Sequence, residues 1–484
     1  MSSLEDHAQV EAAAALSRFR HQFYNSLFYN SLTRRADALF DLTEAVLCAD
    51  GPVTSLAELS LSAAFRRGHG ALYDALAAGQ IAVQGVRDAL VQAVPSGAPL
   101  LFAVDVTPYP RPDAECSADR AHCYATCRCD GSRKTIPGWN YSWILGLEWG
   151  GSSWTAPVDT RRPTCDDDLV TVTAAQIRAL VARLRAAGRC GGPGQPVPMM
   201  ILDCGYPAPA LADALVGVQA QLLVRLGDEG RRVFYATPRH ASPDNSAGLP
   251  GTGPGSSWPT RQPGRSRPGA PDPRFWPLRP GGGARLVGAA PKLETRGHFS
   301  GRTRPEVITG TVIQVVVERL PDGRVPHKTL WLRWSGPPGM LADLDVVWRA
   351  YLRRFDAEHT FRFAKGTLGW TAARVRTPAQ ADRWTWLVVA AYTQLRLAVP
   401  LARDLRRPWE RPPDPARPLS PYRVRRGFRH IRDQLGVPAR GPKPSRPGPG
   451  RPKGSHRGPA RRYPAGKQSD KTATPTTTRK RRSG

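Results

Sequence analysis

The sequence contains no apolar run that approaches the ~18–20 residues of a membrane-spanning helix. Its first residues also lack the basic-then-apolar order of a signal peptide. These two absences predict a protein that has no transmembrane helix and works in the cytoplasm. In that compartment, the eight cysteines are expected to be reduced thiols rather than disulfides.

Acidic residues and lysine are both scarce. Of the 484 residues, 69 are Lys or Arg and 40 are Asp or Glu, which gives a formal net charge of +29. Such an excess fits an enzyme of neutral metabolites poorly and favours a polyanionic partner, most often nucleic acid. Only nine of the basic residues are Lys. Because GC-rich coding also produces an arginine bias, charge alone does not identify the partner.

Composition and periodicity predict six segments along the chain. The first is Ala-rich and helical, and its capping-box spacing at Ser55 and Glu58 is compatible with either a helix-turn-helix or a plain helical bundle. Apolar runs of strand length then alternate with helical periodicity, which indicates an α/β fold with a mostly buried sheet. The segments are 1–95 (helical), 96–236 (first part of an α/β core), 237–340 (insertion), 341–400 (helices that complete the core), 401–439 (helical extension) and 440–484 (tail).

The insertion and the tail have unusual compositions. Residues 238–283 hold 11 Pro and 9 Gly, which predicts a flexible basic loop rather than a packed element. Two extended segments follow, Val307–Arg319 and Thr329–Trp334, and their alternation predicts a strand pair. The tail carries 14 Lys or Arg against one Asp. It has too little apolar surface to fold alone, so we predict that it is disordered.

Two aspartates lie in apolar segments that are predicted to be strands. Asp105 interrupts the run Leu100–Val106, and Asp203 falls near the end of the run Val197–Cys204. An ionised carboxylate in such a place is costly unless something compensates it. Capping or a pair with an arginine is the ordinary explanation for a single aspartate. Two in one sheet favour a divalent cation, because Mg²⁺ is commonly bound by one or two carboxylates together with water and phosphate oxygens.

A third feature is a charged stripe on a helix that we predict over residues 351–365. At about 100° per residue, the members of this stripe fall within an arc about 80° wide. They are one phenol, three cations and one carboxylate: Tyr351, Arg354, Arg362, Lys365 and Glu358. A solvated face is the ordinary explanation for such a stripe. Apolar residues on both flanks allow the alternative that it borders a cleft.

Four residues match the spacing of a known signature, Tyr-x2-Arg-x3-Glu-x6-Lys: Tyr351, Arg354, Glu358 and Lys365. This spacing resembles the Y-R-E-K signature of bacterial insertion-sequence transposases that have an RNase H-like DDE catalytic domain. Asp203, with Tyr206 three residues later, is similar to the second-aspartate motif of that group, and Asp105 is similar to its first aspartate. The resemblance covers roughly residues 95–400.

The resemblance implies an RNase H-like mixed sheet flanked by helices, with a β-rich insertion before the glutamate helix. It implies a DNA transposase that cuts and rejoins insertion-sequence ends by two-metal phosphoryl transfer. Asp105, Asp203 and Glu358 would hold two Mg²⁺ ions, which Mn²⁺ can replace, and Asp105 would be shared by both ions. Four residues are expected to contact DNA phosphates, three by resemblance and Arg362 by its place on the stripe: Tyr351, Arg354, Arg362 and Lys365.

The expected partner is double-stranded DNA, and no membrane is involved. The N-terminal helical domain would bind the terminal repeats of the element, and the tail would add nonspecific affinity for DNA. Pairing of two ends implies a homodimer on DNA, associated with a bacterial nucleoid. Two rival functions remain at this point. One is a catalytically inactive, domesticated relative that only binds DNA, and the other is an RNase H-like nuclease without strand transfer.

Three further patterns are weaker. Cys116, Cys123, Cys127 and Cys129 cluster near His122, but their spacings do not match paired zinc-ligand motifs, and ordinary thiols are favoured. The run 166–168 of three aspartates predicts a polar loop, since adjacent side chains point in different directions. Residues 446–453 partly resemble an AT-hook, and a nonspecific basic tail is the simpler explanation.

Overall fold

A computed structural model describes residues 2–28, 33–126, 133–150, 152–226, 233–235, 276–278, 281–291, 310–316, 330–443, 454 and 458–466. Most of the predicted Pro/Gly/Arg-rich loop lies outside these residues, as do Cys127, Cys129 and the AT-hook-like stretch 446–453. Among the described helices, none combines the length and the apolar character that crossing a bilayer requires.

The described strands form one mixed sheet. In chain order they are β1 (Leu101–Pro110), β2 (Ala121–Thr126), β3 (Arg133–Leu147), β4 (Thr155–Arg161), β5 (Met199–Leu202), β6 (Gln221–Arg225), β7 (Val233–Tyr235), β8 (Trp276–Leu278), β9 (Gly281–Pro291), β10 (Gly310–Val316) and β11 (Leu330–Ser335). Their order across the sheet is β2-β3-β1-β5-β6-β11-β10-β9-β7, with β4 also on β3 and β8 on β9. Strands β1, β5 and β6 are parallel, and β3 runs antiparallel to β1.

Helices cover both faces of the first half of this sheet. They are α1 (Ser2–Leu27), α2 (Thr33–Cys48), α3 (Leu56–Leu59), α4 (His69–Ala78), α5 (Val83–Gln92), α6 (Leu169–Ala186), α7 (Ala208–Ala214), α8 (Leu344–Arg353), α9 (Phe355–Gly366), α10 (Pro378–Leu397) and α11 (Pro421–Leu435). Helices α6 and α7 pack in the apolar core on one face, and the core on the other face contains residues of α1, α2, α4, α5 and α8–α11.

The two faces of β1 explain its unbroken apolar sequence. Leu101 and Ala103 enter the core with the N-terminal helices, whereas Phe102 and Val104 enter the core with α6 and α7. Successive side chains of a strand point to opposite faces, so a strand that is covered on both sides needs apolar residues throughout. The mixed sheet between two helical layers confirms the predicted RNase H-like α/β fold.

The N-terminal helices share a core with the C-terminal helices of the chain. Buried residues of α1, α2, α4 and α5 lie in the same cluster as those of α10 and α11. Ser55 caps α3 as its spacing predicts, since its Oγ accepts the Glu58 N–H at 3.2 Å. Helix α3 has only four residues. The structure therefore favours a helical bundle over a helix-turn-helix for this part.

The β-rich insertion extends the sheet beyond β6. Strands β10 and β11 pair antiparallel, with Ile313 opposite Leu332, which confirms the pairing predicted for these segments. Strand β11 also pairs with β6, so the insertion continues the sheet instead of forming a separate one. Trp334 is buried and its indole N–H donates to Gln221 at 3.1 Å, as expected for a core tryptophan.

Part of the predicted disordered tail lies against the outer edge of the sheet. The Gly466 N–H donates to the Arg120 carbonyl at 2.7 Å, and the His122 N–H donates to the Gly466 carbonyl at 3.2 Å. Tyr463 makes a further backbone hydrogen bond to Glu115. For residues 458–466 the expectation of disorder is therefore wrong. An edge strand offers unpaired backbone groups, and these hold a segment that has little apolar surface.

This contact predicts that the tail shields Cys165. A Cβ atom added to Gly466 would lie 3.2 Å from the Cys165 Sγ, so the two residues are in close contact. In a chain truncated after residue 457, we expect alkylation of Cys165 to become severalfold faster, measured by peptide mass spectrometry. Cys190, which is buried in the α6–α7 core, is the internal control. An unchanged Cys165 rate would contradict this packing.

Candidate active site

Sheet register brings the two predicted aspartates side by side. Strands β1 and β5 are parallel neighbours in which Val104 pairs with Leu202. Asp105 and Asp203 are the next residues along these strands. Adjacent strands lie about 4.8 Å apart. The two carboxylates therefore lie close together at the carboxyl end of β5, although they are almost a hundred residues apart in sequence.

Each aspartate uses its two oxygens differently. One oxygen accepts the N–H of the following residue. Asp105 accepts from Val106 at 2.8 Å, and Asp203 accepts from Cys204 at 2.7 Å. The other oxygen points to Nη2 of Arg354, at 3.3 Å from Asp105 and 3.1 Å from Asp203. The Oδ2 atoms of Asp105 and Asp203 therefore contact the same nitrogen atom, which keeps the two carboxylates close together.

Helix α9 adds the third carboxylate. Its buried residues Ala357, Phe361 and Ala364 recur at helical spacing and place this face in the core against the sheet. Phe361 contacts Trp143 of β3 edge-on, with ring centroids 5.8 Å apart. This packing leaves Glu358 beside the aspartates, and its Oε1 is 3.8 Å from Nη1 of Arg354.

One guanidinium thus contacts all three predicted metal-binding carboxylates. The Arg354 side chain is 9% exposed, whereas those of Asp105, Asp203 and Glu358 are 22%, 35% and 46% exposed. The arginine is the buried member of the group, and the carboxylates retain access to solvent. Burial raises the pKa of Asp105 above its usual range, and the charge of Arg354 opposes this rise.

The predicted single helix over residues 351–365 is wrong in one respect. Helix α8 ends at Arg353 and α9 begins at Phe355. At Arg354, backbone hydrogen bonds of the i to i−3 type join Arg354 to Tyr351 and Ala357 to Arg354, which tightens the turn. The backbone there remains right-handed. Tyr351 therefore belongs to α8, Arg354 lies at the junction, and Glu358 and Lys365 belong to α9.

Two of the predicted phosphate-contacting residues, Lys365 and Tyr351, border the carboxylates in different ways. Lys365 donates to the Thr107 hydroxyl at 2.6 Å, two residues beyond Asp105 on β1. Burial lowers the pKa of Lys365 to about 8. The phenol of Tyr351 is half-buried, and burial and the charge of Asp203 raise its pKa. Arg362 is exposed on α9.

Arg225 is a residue of this site that the sequence did not indicate. It ends β6, in which Val224 pairs with Leu202, so Arg225 lies beside Asp203 on the neighbouring strand. Its Nη1 is 3.9 Å from Asp203 Oδ1, and it also interacts with Tyr351. A parallel β5–β6 pairing would have predicted this position, but the order of the strands was not evident from the sequence.

The chemistry of the three carboxylates suits a divalent cation, but their arrangement in this structure does not form an ion-binding group. Three carboxylates from β1, β5 and α9 supply the hard oxygen ligands that Mg²⁺ takes, and they already converge on a positive charge. Within the described ranges, no three Asp, Glu, His or Cys side chains have the mutual geometry to hold one ion. At these three carboxylates, the contacts are made to the Arg354 guanidinium instead.

The weaker patterns have structural explanations where they are described. Asp168 of the acidic run caps α6, because its carboxylate accepts the Thr171 N–H at 2.9 Å. Cys116 is exposed and Cys123 is buried. Neither residue belongs to a metal-binding group within the described part of the chain.

Comparison with protein families agrees with the geometry. A family model described as "DDE superfamily endonuclease" matches residues 27–269. The match covers half of the chain, including α2–α7 and the strands that bear Asp105 and Asp203, and it ends before α9 with Glu358. No curated protein matches the chain significantly.

Proposed function

This chain belongs to the DDE superfamily endonucleases, and on that premise we propose that it is a DNA transposase that cuts and rejoins the ends of an insertion sequence. One observation carries the proposal. Asp105, Asp203 and Glu358, which are far apart in sequence, converge on a single cation. A carboxylate cluster open to solvent and surrounded by basic residues suits a metal-dependent reaction on a phosphate backbone.

In the proposed reaction, Asp105, Asp203 and Glu358 would hold divalent ions, Mg²⁺ or Mn²⁺. When bound, two such ions supply activation of the attacking hydroxyl and stabilisation of the leaving oxygen. The backbone N–H groups of Val106 and Cys204 each donate to one aspartate oxygen and thereby fix the two carboxylates. The other oxygen of each aspartate remains directed toward the centre of the cluster.

The cations around the cluster would position the DNA. Arg354 and Arg362 suit bidentate contact with phosphate, and Lys365 acts as a point charge. Arg225 and Tyr351 extend this surface on the far side of Asp203. These groups would hold the scissile phosphate against the carboxylates, which would otherwise repel it.

The proposed partners are DNA and a second copy of the chain. The N-terminal helical region would recognise the terminal repeats of the element, and the basic residues of the tail would add nonspecific, salt-sensitive affinity for target DNA. A homodimer on DNA would pair two element ends. Such a protein would act on the bacterial nucleoid.

The test uses the full chain, Mg²⁺ and labelled DNA fragments taken from the sequence that flanks its gene. We expect cleavage at inverted repeats and joined products in which a labelled end is covalently attached to target DNA. Cleavage without joined products would instead support a nuclease, and binding without cleavage would support a catalytically inactive DNA-binding relative. Either of those outcomes would overturn the transposase proposal.

A further inference from the structure

Arg354 lies among the three carboxylates that are proposed to hold metal. Its two terminal nitrogens contact all three carboxylates at 3.1–3.8 Å. Mg²⁺ binds oxygen ligands at about 2.0–2.1 Å. The same carboxylate oxygens cannot close around an ion while the guanidinium remains between them. The arginine and the metal are therefore alternative partners of one cluster.

The charges show why some cation must be present. Asp105, Asp203 and Glu358 carry three negative charges when ionised, and like charges at such separations repel strongly where water is partly excluded. Arg354 neutralises one of them. This is enough to gather the carboxylates without metal, and the remaining negative charge still attracts a divalent ion.

The arginine is also imperfectly accommodated. Its Nε is buried, and within the described residues it has no hydrogen-bond acceptor. A buried donor without a partner is unfavourable, so the inward position of Arg354 carries an energetic cost. Arg354 lies at the junction of α8 and α9, and rotation of its long side chain would direct the guanidinium outward without unfolding either helix.

We infer that Arg354 is a positioning residue that holds the carboxylate cluster together until a divalent ion displaces it, after which its guanidinium contacts a DNA phosphate. This inference rests on the proposed function. It predicts that Arg354 and metal compete for the carboxylates. It also predicts positive coupling between metal and DNA, because a DNA phosphate that binds the guanidinium leaves the carboxylates available to metal. Binding of either ligand would then strengthen binding of the other by the same factor.

The experiment is a Mn²⁺ titration of the full chain without DNA, followed by calorimetry or by electron paramagnetic resonance. For Arg354→Gln, which keeps a polar side chain and removes the charge, we expect Mn²⁺ to bind on the order of tenfold more tightly than to the wild type. Arg354→Lys should bind Mn²⁺ with intermediate affinity. Arg349→Ala is the matched control, because Arg349 is exposed and pairs with Asp345, and its Mn²⁺ affinity should equal that of the wild type.

A purely structural role for Arg354 predicts the opposite sign, since loss of a residue that only maintains the site would weaken Mn²⁺ binding. Equal or weaker affinity in a folded Arg354→Gln chain would overturn the inference. If Arg354→Gln does not fold, the wild type decides: its Mn²⁺ affinity should rise when an uncleavable DNA end is added, and this gain should shrink in Arg354→Lys. No gain in the wild type would also overturn it.

A parallel titration of Asp203→Asn separates this inference from the proposed function. If Asp203→Asn binds Mn²⁺ as the wild type does, the assignment of the carboxylates to metal is wrong, and the proposed function fails with it. If Asp203→Asn loses Mn²⁺ binding while Arg354→Gln gains none, the metal site stands and only the role of Arg354 is rejected.

Discussion

Replacement of Asp203 by Asn is expected to reduce the rate of DNA cleavage by on the order of 10³-fold or more. The reason is that a metal ion contributes several kcal/mol of transition-state stabilisation, and each 1.36 kcal/mol changes a rate about tenfold. Asn keeps the size of the side chain and the oxygen that accepts the Cys204 N–H, so the fold should be preserved. Single-turnover cleavage of a labelled element end in Mg²⁺ measures the effect.

The matched control for Asp203→Asn is Asp166→Asn. Asp166 is also an aspartate that follows a strand, but it is exposed in the loop before α6 and lies outside the carboxylate cluster. We expect its cleavage rate to stay within about twofold of the wild type, as is usual for surface substitutions. Similar rates for Asp203→Asn and the wild type would remove Asp203 from the active site.

Replacement of Glu44 by Ala is expected to lower the free energy of unfolding by about 3–5 kcal/mol, as for other broken buried ion pairs. Glu44 of α2 is fully buried. It accepts hydrogen bonds from Arg20 of α1 at 2.8 Å and from Arg432 of α11 at 2.9 Å. Removal of the carboxylate leaves the buried Arg20 guanidinium without its charge partner and leaves Arg432 with only Asp433 of its own helix, so the link between the N-terminal helices and the C-terminal extension is lost.

Urea denaturation followed by circular dichroism measures this effect. The control is Asp345→Ala, which breaks an ion pair with Arg349 in which both side chains are about half exposed. Exposed pairs contribute about 0–1 kcal/mol, so this variant should unfold close to the wild-type midpoint. If Glu44→Ala were no less stable than Asp345→Ala, α11 would not be anchored to α2 by this carboxylate.

The sequence predicted the two segments that carry the proposed active-site aspartates, because both segments are short and strongly apolar. Asp105 and Asp203 were conspicuous as the only charges in runs that are buried on both faces of the sheet. The sequence could not supply the order of the strands. That β1 lies directly beside β5 depends on long-range packing, and this neighbour relation is what places the two carboxylates together.

Strand β4 escaped prediction for a physical reason. It contains Pro157 and the buried Asp159, two residues that ordinarily argue against a strand. Pro157 is tolerated because, among the described strands, β4 pairs with β3 alone, and it does so at a register irregularity. Asp159 is tolerated because Arg87 donates to it at 2.6 Å. The second compensation comes from a distant part of the chain, since Arg87 lies 72 residues before Asp159.

Arg354 shows the limit of periodicity. The helical spacing placed it on the same side as Glu358, which the structure supports through their contact at 3.8 Å. The same spacing gave no indication that the helix is interrupted there, since neither Pro nor Gly marks the junction of α8 and α9. Nor did it indicate that the guanidinium turns inward to the carboxylates rather than outward to solvent.

The central claim is that Asp105, Asp203 and Glu358 together hold catalytic metal, and Fe²⁺-directed backbone cleavage tests it most directly. The full chain would be loaded with Fe²⁺ and a DNA end, treated with ascorbate and peroxide, and the cut positions mapped by mass spectrometry. We predict cuts in β1, after β5 and in α9, close to these three residues. We also expect Mg²⁺ to suppress all three cuts, because it would compete with Fe²⁺ for the carboxylates. Cuts confined to other parts of the chain, or none that Mg²⁺ suppresses, would contradict the account.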